Sequence, residues 1–527
     1  MAARFWVTGG TGNWNDTSNW SATTGGASGA SVPGSADTAT FNASSGSGTA
    51  TLDISPEIQT LTCTGFTGTI AFGTNTISLN STGTIFTGAT TMAVTGTPQI
   101  ICTNSSATAR TITPTAVTEA NSISFRITAG TGTFTISSTT SIRNLDFTDG
   151  VNPTGYAGAA TFGTMTIFGD FKASTGMTCP ASSNVTTFGA TLGTKTINTA
   201  GVTFDRPFTF NGVGGTWQLQ GALTSGSTRA CTLTNGTLDL NGYTFTVGSV
   251  SSNNSNVRTF AFGSTGKFVL LGSSGTLWTT STATNLTVTG TSPLIQLTTN
   301  VPFGTTRTVN IGAAGEANSI SLDVTAGSDT VALSTTSGAF RNVDFTGFTG
   351  THNAQNSIAV FGNWNYGGVT AVSSTGAVTF SATSGIKTVT SNGVTFPANV
   401  AFNGIGGTWA CQDALTLGST RALSITNGTL QLKSGVTSTV GAANTPGTNQ
   451  RFLQSTTPGV QATLSAASGT VSVSYLTIQD LNATGGAVWQ AYTTNRNVNA
   501  GNNTGWDFIQ QIGRYIYTRR KNKRILY

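Results

Sequence analysis

A long segment of this chain is written twice. Gly201-Val-Thr-Phe204, Phe210-Asn-Gly-Val-Gly-Gly-Thr-Trp217, Gly226-Ser-Thr-Arg229 and Thr234-Asn-Gly-Thr-Leu238 return as Gly393-Val-Thr-Phe396, Phe402-Asn-Gly-Ile-Gly-Gly-Thr-Trp409, Gly418-Ser-Thr-Arg421 and Thr426-Asn-Gly-Thr-Leu430, at a constant offset of 192. Upstream, Glu119-Ala-Asn-Ser-Ile-Ser124 returns as Glu316-Ala-Asn-Ser-Ile-Ser321, and Arg143-Asn-Leu-Asp-Phe-Thr148 as Arg341-Asn-Val-Asp-Phe-Thr346. The duplicated unit therefore covers about 109–250 and 306–442, with small insertions that belong in loops.

A finer rhythm runs inside each copy. Ile123-Ser-Phe-Arg-Ile127, Phe134-Thr-Ile136 and Leu145-Asp-Phe147 are short alternating runs separated by Gly, Asn, Ser and Thr. Alternation over four to six residues with such punctuation reads as half-buried strands joined by tight turns. Helices are disfavoured, because β-branched residues and glycine dominate and are poor helix formers.

Short, evenly spaced strands admit a parallel β-solenoid or a string of tandem β-sandwiches. Composition favours the first. Only 8% of the residues are charged, against roughly 25% in an ordinary globular chain. In stacked coils, equivalent side chains meet above and below, so Thr and Asn ladders satisfy one another while like charges repel. Sandwiches keep a solvated, more charged face. The expected fold is all-β: an elongated parallel β-helix with an internal duplication and a capping module at each end.

The first fifty residues hold three of the nine tryptophans, in Phe5-Trp6, Gly9-Gly10-Thr-Gly-Asn-Trp14 and Asn19-Trp20-Ser21, followed by Pro33, Asp37 and Phe41. The segment about 443–508 carries Tyr475-Leu-Thr-Ile-Gln-Asp480, Ala483-Thr-Gly-Gly-Ala-Val-Trp489 and Gly501-Asn-Asn-Thr-Gly-Trp506-Asp-Phe508. Aromatic plugs of this kind would cover the apolar ends of a coil stack. The division expected is 1–50 as a Trp/Gly-rich capping or attachment module, 51–442 as solenoid, 443–508 as a β-rich cap and 509–527 as a basic tail.

The opening motif looks like that of secreted bacterial β-helical proteins of the autotransporter-associated kind. Opening and closing motifs together resemble the Thr/Gly/Ser-rich β-helical virion structural proteins of tailed bacteriophages. No signal-peptide-like apolar segment follows Met1 and no run of 18 apolar residues occurs, so neither secretion nor a membrane span is expected. The resemblance implies a virion protein: a tail fibre, spike or appendage that forms a homo-oligomer, a trimer, contacts other virion proteins and attaches to host-surface polysaccharide. The rivals are a capsid decoration or head-fibre protein, a polysaccharide depolymerase and a bacterial surface adhesin.

Charge is concentrated at one end. Arg514, Arg519, Arg520, Lys521, Lys523 and Arg524 lie in an acid-free tail; without them the remaining basic residues equal the 17 acids. These six are the candidate contact to an anionic partner or to a neighbouring chain, assembly being favoured over nucleic acid.

Catalysis is not expected, and neither is a cofactor or metal. Asp146 and Asp149 reduce in the second copy to Asp344 and Gly347, Asp205 becomes Pro397 and Asp239 becomes Gln431. Arg143 with Asp146, and Arg341 with Asp344, read as charge pairs bracing turns. Glu119 and Glu316 read as loop residues, and the single histidine, His352, as a surface loop residue. Five widely spaced cysteines suggest no disulfide framework and no zinc site.

Overall fold

The computed structural model describes residues 2–137, 139–333, 338–373 and 376–509. It is 46% strand and 2% helix. The described residues form two compact units: those of 2–358 with 368–371, and those of 359–367 with 372–509. Each is a parallel β-solenoid, and the turns number about 20 in all. Among the described residues the strands pair in parallel, apart from Ala3–Trp6, which pairs with Trp20–Ser21 in antiparallel fashion. Tandem sandwiches, built of antiparallel sheets, are excluded.

One pair of neighbouring coils in the first unit shows the construction. Thr60–Thr62, Thr69–Ala71 and Ile77–Leu79 make one turn; Gly83–Thr87, Ala93–Thr95 and Gln99–Cys102 make the next. Leu61 lies beside Phe86, Ile70 beside Val94 and Leu79 beside Cys102. Hydrogen bonds from side chains of one coil to the backbone of the coil before reach back 19 to 30 residues, so coil length varies and the turns absorb the difference.

Alternation along each strand sends every second side chain inward. Ile100, Phe125, Leu145, Phe171, Ile197 and Leu219 form one continuous interior ladder across six strands, each at 5% exposure or less. Full burial of such a side chain contributes about 1.5–3 kcal/mol.

Outside, hydroxyls and amides meet between coils, as the low charge demands. Thr135 and Thr161 share a hydrogen bond of 2.9 Å. Asn235 donates to Asn211 at 2.7 Å, and the second unit repeats the bond as Asn427 to Asn403, extended by Asn449 to Asn427.

Near the chain start, Trp20 and Phe41 pack against each other and against both Trp6 and Trp14, with ring centroids 4.8–5.9 Å apart, and all four are at most 1% exposed. In the second unit Trp489 and Trp506 stand edge to face at 4.9 Å.

Candidate functional site

The richest cluster of polar chemistry lies on one sheet face of the first unit. Parallel register sets Arg126 of Ser124–Ile127 beside Asp146 of Leu145–Asp146, Asp146 beside Lys172 of Phe171–Lys172, and Lys172 beside Asn198. The charges alternate in sign up the ladder, which removes the penalty of stacking like charges. Arg126 Nε stands 3.5 Å from Asp146 Oδ2, with the two side chains 31% and 12% exposed.

A frame of short-range bonds holds this face. Asn144 donates to Ser124 Oγ at 2.9 Å and accepts from the backbone N–H of Asp170 at 2.8 Å. Asp146 Oδ1 accepts from the N–H and hydroxyl of Thr148. Asp170 Oδ1 does the same with Thr196. Above the frame lie two adjoining depressions, of about 130 and 380 Å³, which share Gln99, Ser124 and Asn144.

The second copy keeps the frame and changes the charges. Asn342 donates to Ser321 Oγ at 3.0 Å, as Asn144 does to Ser124. Arg126 is replaced by Asp323, which stacks directly beside Asp344. Burial, followed by the neighbouring Asp344 charge, raises the Asp323 carboxyl above its ordinary range, with Lys267 opposing the shift. Lys267 itself donates to Gln296 at 3.0 Å.

Two readings of the charged residues need correction. Arg143 does not brace Asp146: its guanidinium donates to the carbonyls of Glu119 and Ala120, while Arg126, from the preceding coil, takes the carboxylate. Arg341 likewise donates to the carbonyls of Thr291 and Ala317. In a solenoid, residues one coil apart in register are closer partners than residues three apart in sequence. His352 is not a surface loop residue either. It lies in Thr351–Ala354 opposite Val331, fully buried, its ring 5.1 Å from Phe345. Burial pushes its pKa down to about 3, so the imidazole is neutral at pH 7.

Glu119 does sit in a loop, where its carboxylate accepts from the N–H and hydroxyl of Thr191; Glu316 opens a single 3₁₀ turn. Asp205 pairs with Arg229 at 2.7 Å. Arg514, Arg519, Arg520, Lys521, Lys523 and Arg524 lie outside the described residues. Among the described residues no three His, Cys, Asp or Glu side chains are placed to hold a metal ion, and no helix is long and apolar enough to cross a membrane.

Sequence reasoning missed the most consequential charges. Arg110, Arg206, Arg258, Arg307 and Arg451 are at most 1% exposed, and their guanidinium groups bind backbone carbonyls where the chain leaves the regular coil. Arg258 donates to the carbonyls of Ser252, Asn256, Thr282 and Thr284; Arg451 donates to those of Thr426, Pro446 and Ser474. The signal was in the duplication: Arg110 recurs as Arg307, and Arg258 as Arg451.

Fold and face together define a parallel β-solenoid that presents a polar, partly charged sheet surface. No family model, curated protein or solved structure matches the chain.

Proposed function

We propose that this protein is a non-catalytic structural and adhesive component of a tailed-phage particle, a fibre, spike or appendage that self-associates and touches host-surface glycans. The observation that carries the reading is the stack itself: outward side chains meet their counterparts one coil away as hydroxyl and amide ladders. Such a surface resists non-specific charge pairing and offers many weak hydrogen-bonding positions, which suits multivalent attachment. The Trp-rich opening and the Gly-Asn-Asn-Thr-Gly-Trp closing segment support the phage assignment through their resemblance to virion proteins. Immunogold labelling of purified particles tests it. Label at a fixed position on the tail or head is expected, and particles that carry none of the chain overturn it.

A second reading, a polysaccharide depolymerase, is favoured by one observation. Asp323 and Asp344 are adjacent carboxylates on neighbouring strands, and the raised Asp323 is what a general acid needs. Incubating the chain with host capsule decides between the two. The adhesive reading expects no oligosaccharide release; release abolished by Asp323→Asn establishes the depolymerase.

A further inference from the structure

The face around Arg126 and Lys172 divides its hydrogen-bonding groups unevenly. Its carboxylates each have at least one oxygen engaged with the protein: Asp146 Oδ1 with Thr148, Asp170 Oδ1 with Thr196, and the nearby Asp149 with Val151 and Asn152. Its donors are not engaged in this way. Lys172 Nζ and the Gln99 amide have no hydrogen-bond partner among the described residues, and Arg126 meets the protein's carboxylates through Nε at 3.5 Å, leaving both Nη groups. A ligand that brings acceptors meets these donors directly.

The groove has the form of a track. Its lining comes from 74–76, 97–99, 124–126, 143–146 and 170–172, five successive coils, which at about 4.8 Å per coil give a length on the order of 20 Å. Thr74, Thr76, Thr97 and Arg143 line one end, and Arg126 and Lys172, with Asp146 and Asp170, line the other.

The duplication supplies an internal comparison. The equivalent face keeps Ser321 and Asn342, but Gln99 becomes Leu294 and Arg126 becomes Asp323, while Lys172 aligns with Asn365. All three of these donors are gone from the copy, although the frame beside them remains. The donors are thus not a requirement of the coil stack.

We infer that the Gln99–Arg126–Lys172 groove binds an extended acidic polysaccharide, its carboxylates received by Lys172 and Arg126 and its hydroxyls by Gln99 and the threonines. This rests on the surface-glycan reading and narrows it to a chemical class. Charge-assisted hydrogen bonds to carboxylates are the strongest available to such a face.

Calorimetric titration of the full chain with polygalacturonate oligomers, against dextran oligomers of equal length, tests the inference. Polygalacturonate is expected to bind, and to bind more weakly as salt is raised. Lys172→Gln and Arg126→Gln are each expected to weaken it about tenfold, and Lys433→Gln to leave it unchanged. Lys172 is exposed, so its variant folds whatever becomes of the Arg126 variant. No binding of polygalacturonate, equal binding of dextran, or binding indifferent to Lys172→Gln overturns the assignment. The outcome separates from the particle assignment: a chain absent from particles that still binds polygalacturonate sinks the virion reading alone, and a particle protein that ignores the polymer sinks this one alone.

Discussion

Arg307 and Asp329 form a two-point ion pair in which neither side chain reaches solvent: Nε donates to Oδ2 and Nη2 to Oδ1, both at 2.8 Å. Nη1 and Nη2 also donate to the carbonyls of Thr299 and Ala326 respectively. Arg126 and Asp146, at 3.5 Å and partly exposed, are the contrasting case. Breaking a buried pair leaves an uncompensated charge and costs about 3–5 kcal/mol, whereas an exposed pair is worth about 0–1 kcal/mol. Asp329→Ala should therefore lower the thermal unfolding midpoint clearly, and Arg126→Gln hardly at all. Equal shifts for the two variants would show that the buried pair has no special structural weight.

The buried histidine sets a pH dependence. Folded His352 has a pKa of about 3, against 6.5 for the free side chain, so the unfolded chain binds the proton more readily. Its contribution is fully present above pH 6.5 and is lost progressively as pH falls towards 3, by on the order of 5 kcal/mol at the acid end. His352→Leu removes the titrating group. Denaturation midpoints of the variant should fall less steeply between pH 6.5 and 4 than those of the parent; parallel pH profiles would refute the assignment.

What the sequence made legible and what it hid follow from the same geometry. Alternation in Phe134-Thr-Ile136 or Thr244-Phe-Thr-Val247 shows which side chains point inward, because period two is local. The duplication shows that the chain repeats. Neither reveals which charges stack, because coil length varies and the loop between strands decides the partner. Arg143 and Asp146 are near in sequence and do not pair, while Arg126 and Asp146 are a coil apart and do. His352 failed for a related reason: Gly350-Thr-His-Asn looks like a turn, yet the register with Val331 draws it into a strand. The buried arginines looked like scattered surface charge because their partners are carbonyls, which every sequence contains. The polar groove was equally hidden, its lining being contributed by five coils.

Two glycines with nearly the same backbone angle should respond differently to the same substitution. Gly428 has φ +79°, and a Cβ there would lie 2.5 Å from the carbonyl oxygen of Gly404 and 2.7 Å from that of Gly407. Gly459 also has φ +79°, but nothing lies within 4 Å of its Cβ position. Gly459→Ala should cost about 1–2 kcal/mol, the left-handed penalty alone. Gly428→Ala adds a collision with backbone that cannot move aside without separating two coils, and should cost on the order of 3 kcal/mol or more. Comparable stabilities of the two variants in urea would contradict the close coil approach at the Gly404-Ile-Gly-Gly407 corner.

The aromatic group at the chain start has a consequence for solubility. A parallel stack that simply ended would present unpaired strand edges and an apolar interior to water, a template for association with other chains. Trp6, Trp14, Trp20 and Phe41 fill that interior, and the Trp20 indole N–H donates to the Trp14 carbonyl at 2.8 Å, fixing the ring. The antiparallel return of Trp20–Ser21 onto Ala3–Trp6 occupies one edge of the first strand. Trp14→Ala removes a fully buried ring and should cost about 3–5 kcal/mol locally. Because coils are held mainly by their neighbours, the loss should fray the first turns while distant ones stay folded. Hydrogen exchange resolved by segment is expected to show faster exchange over about 3–62 and unchanged protection over 400–480, together with concentration-dependent self-association. Uniform loss of protection along the chain would mean that the molecule unfolds as a single cooperative body and that the aromatic group is not a local cap.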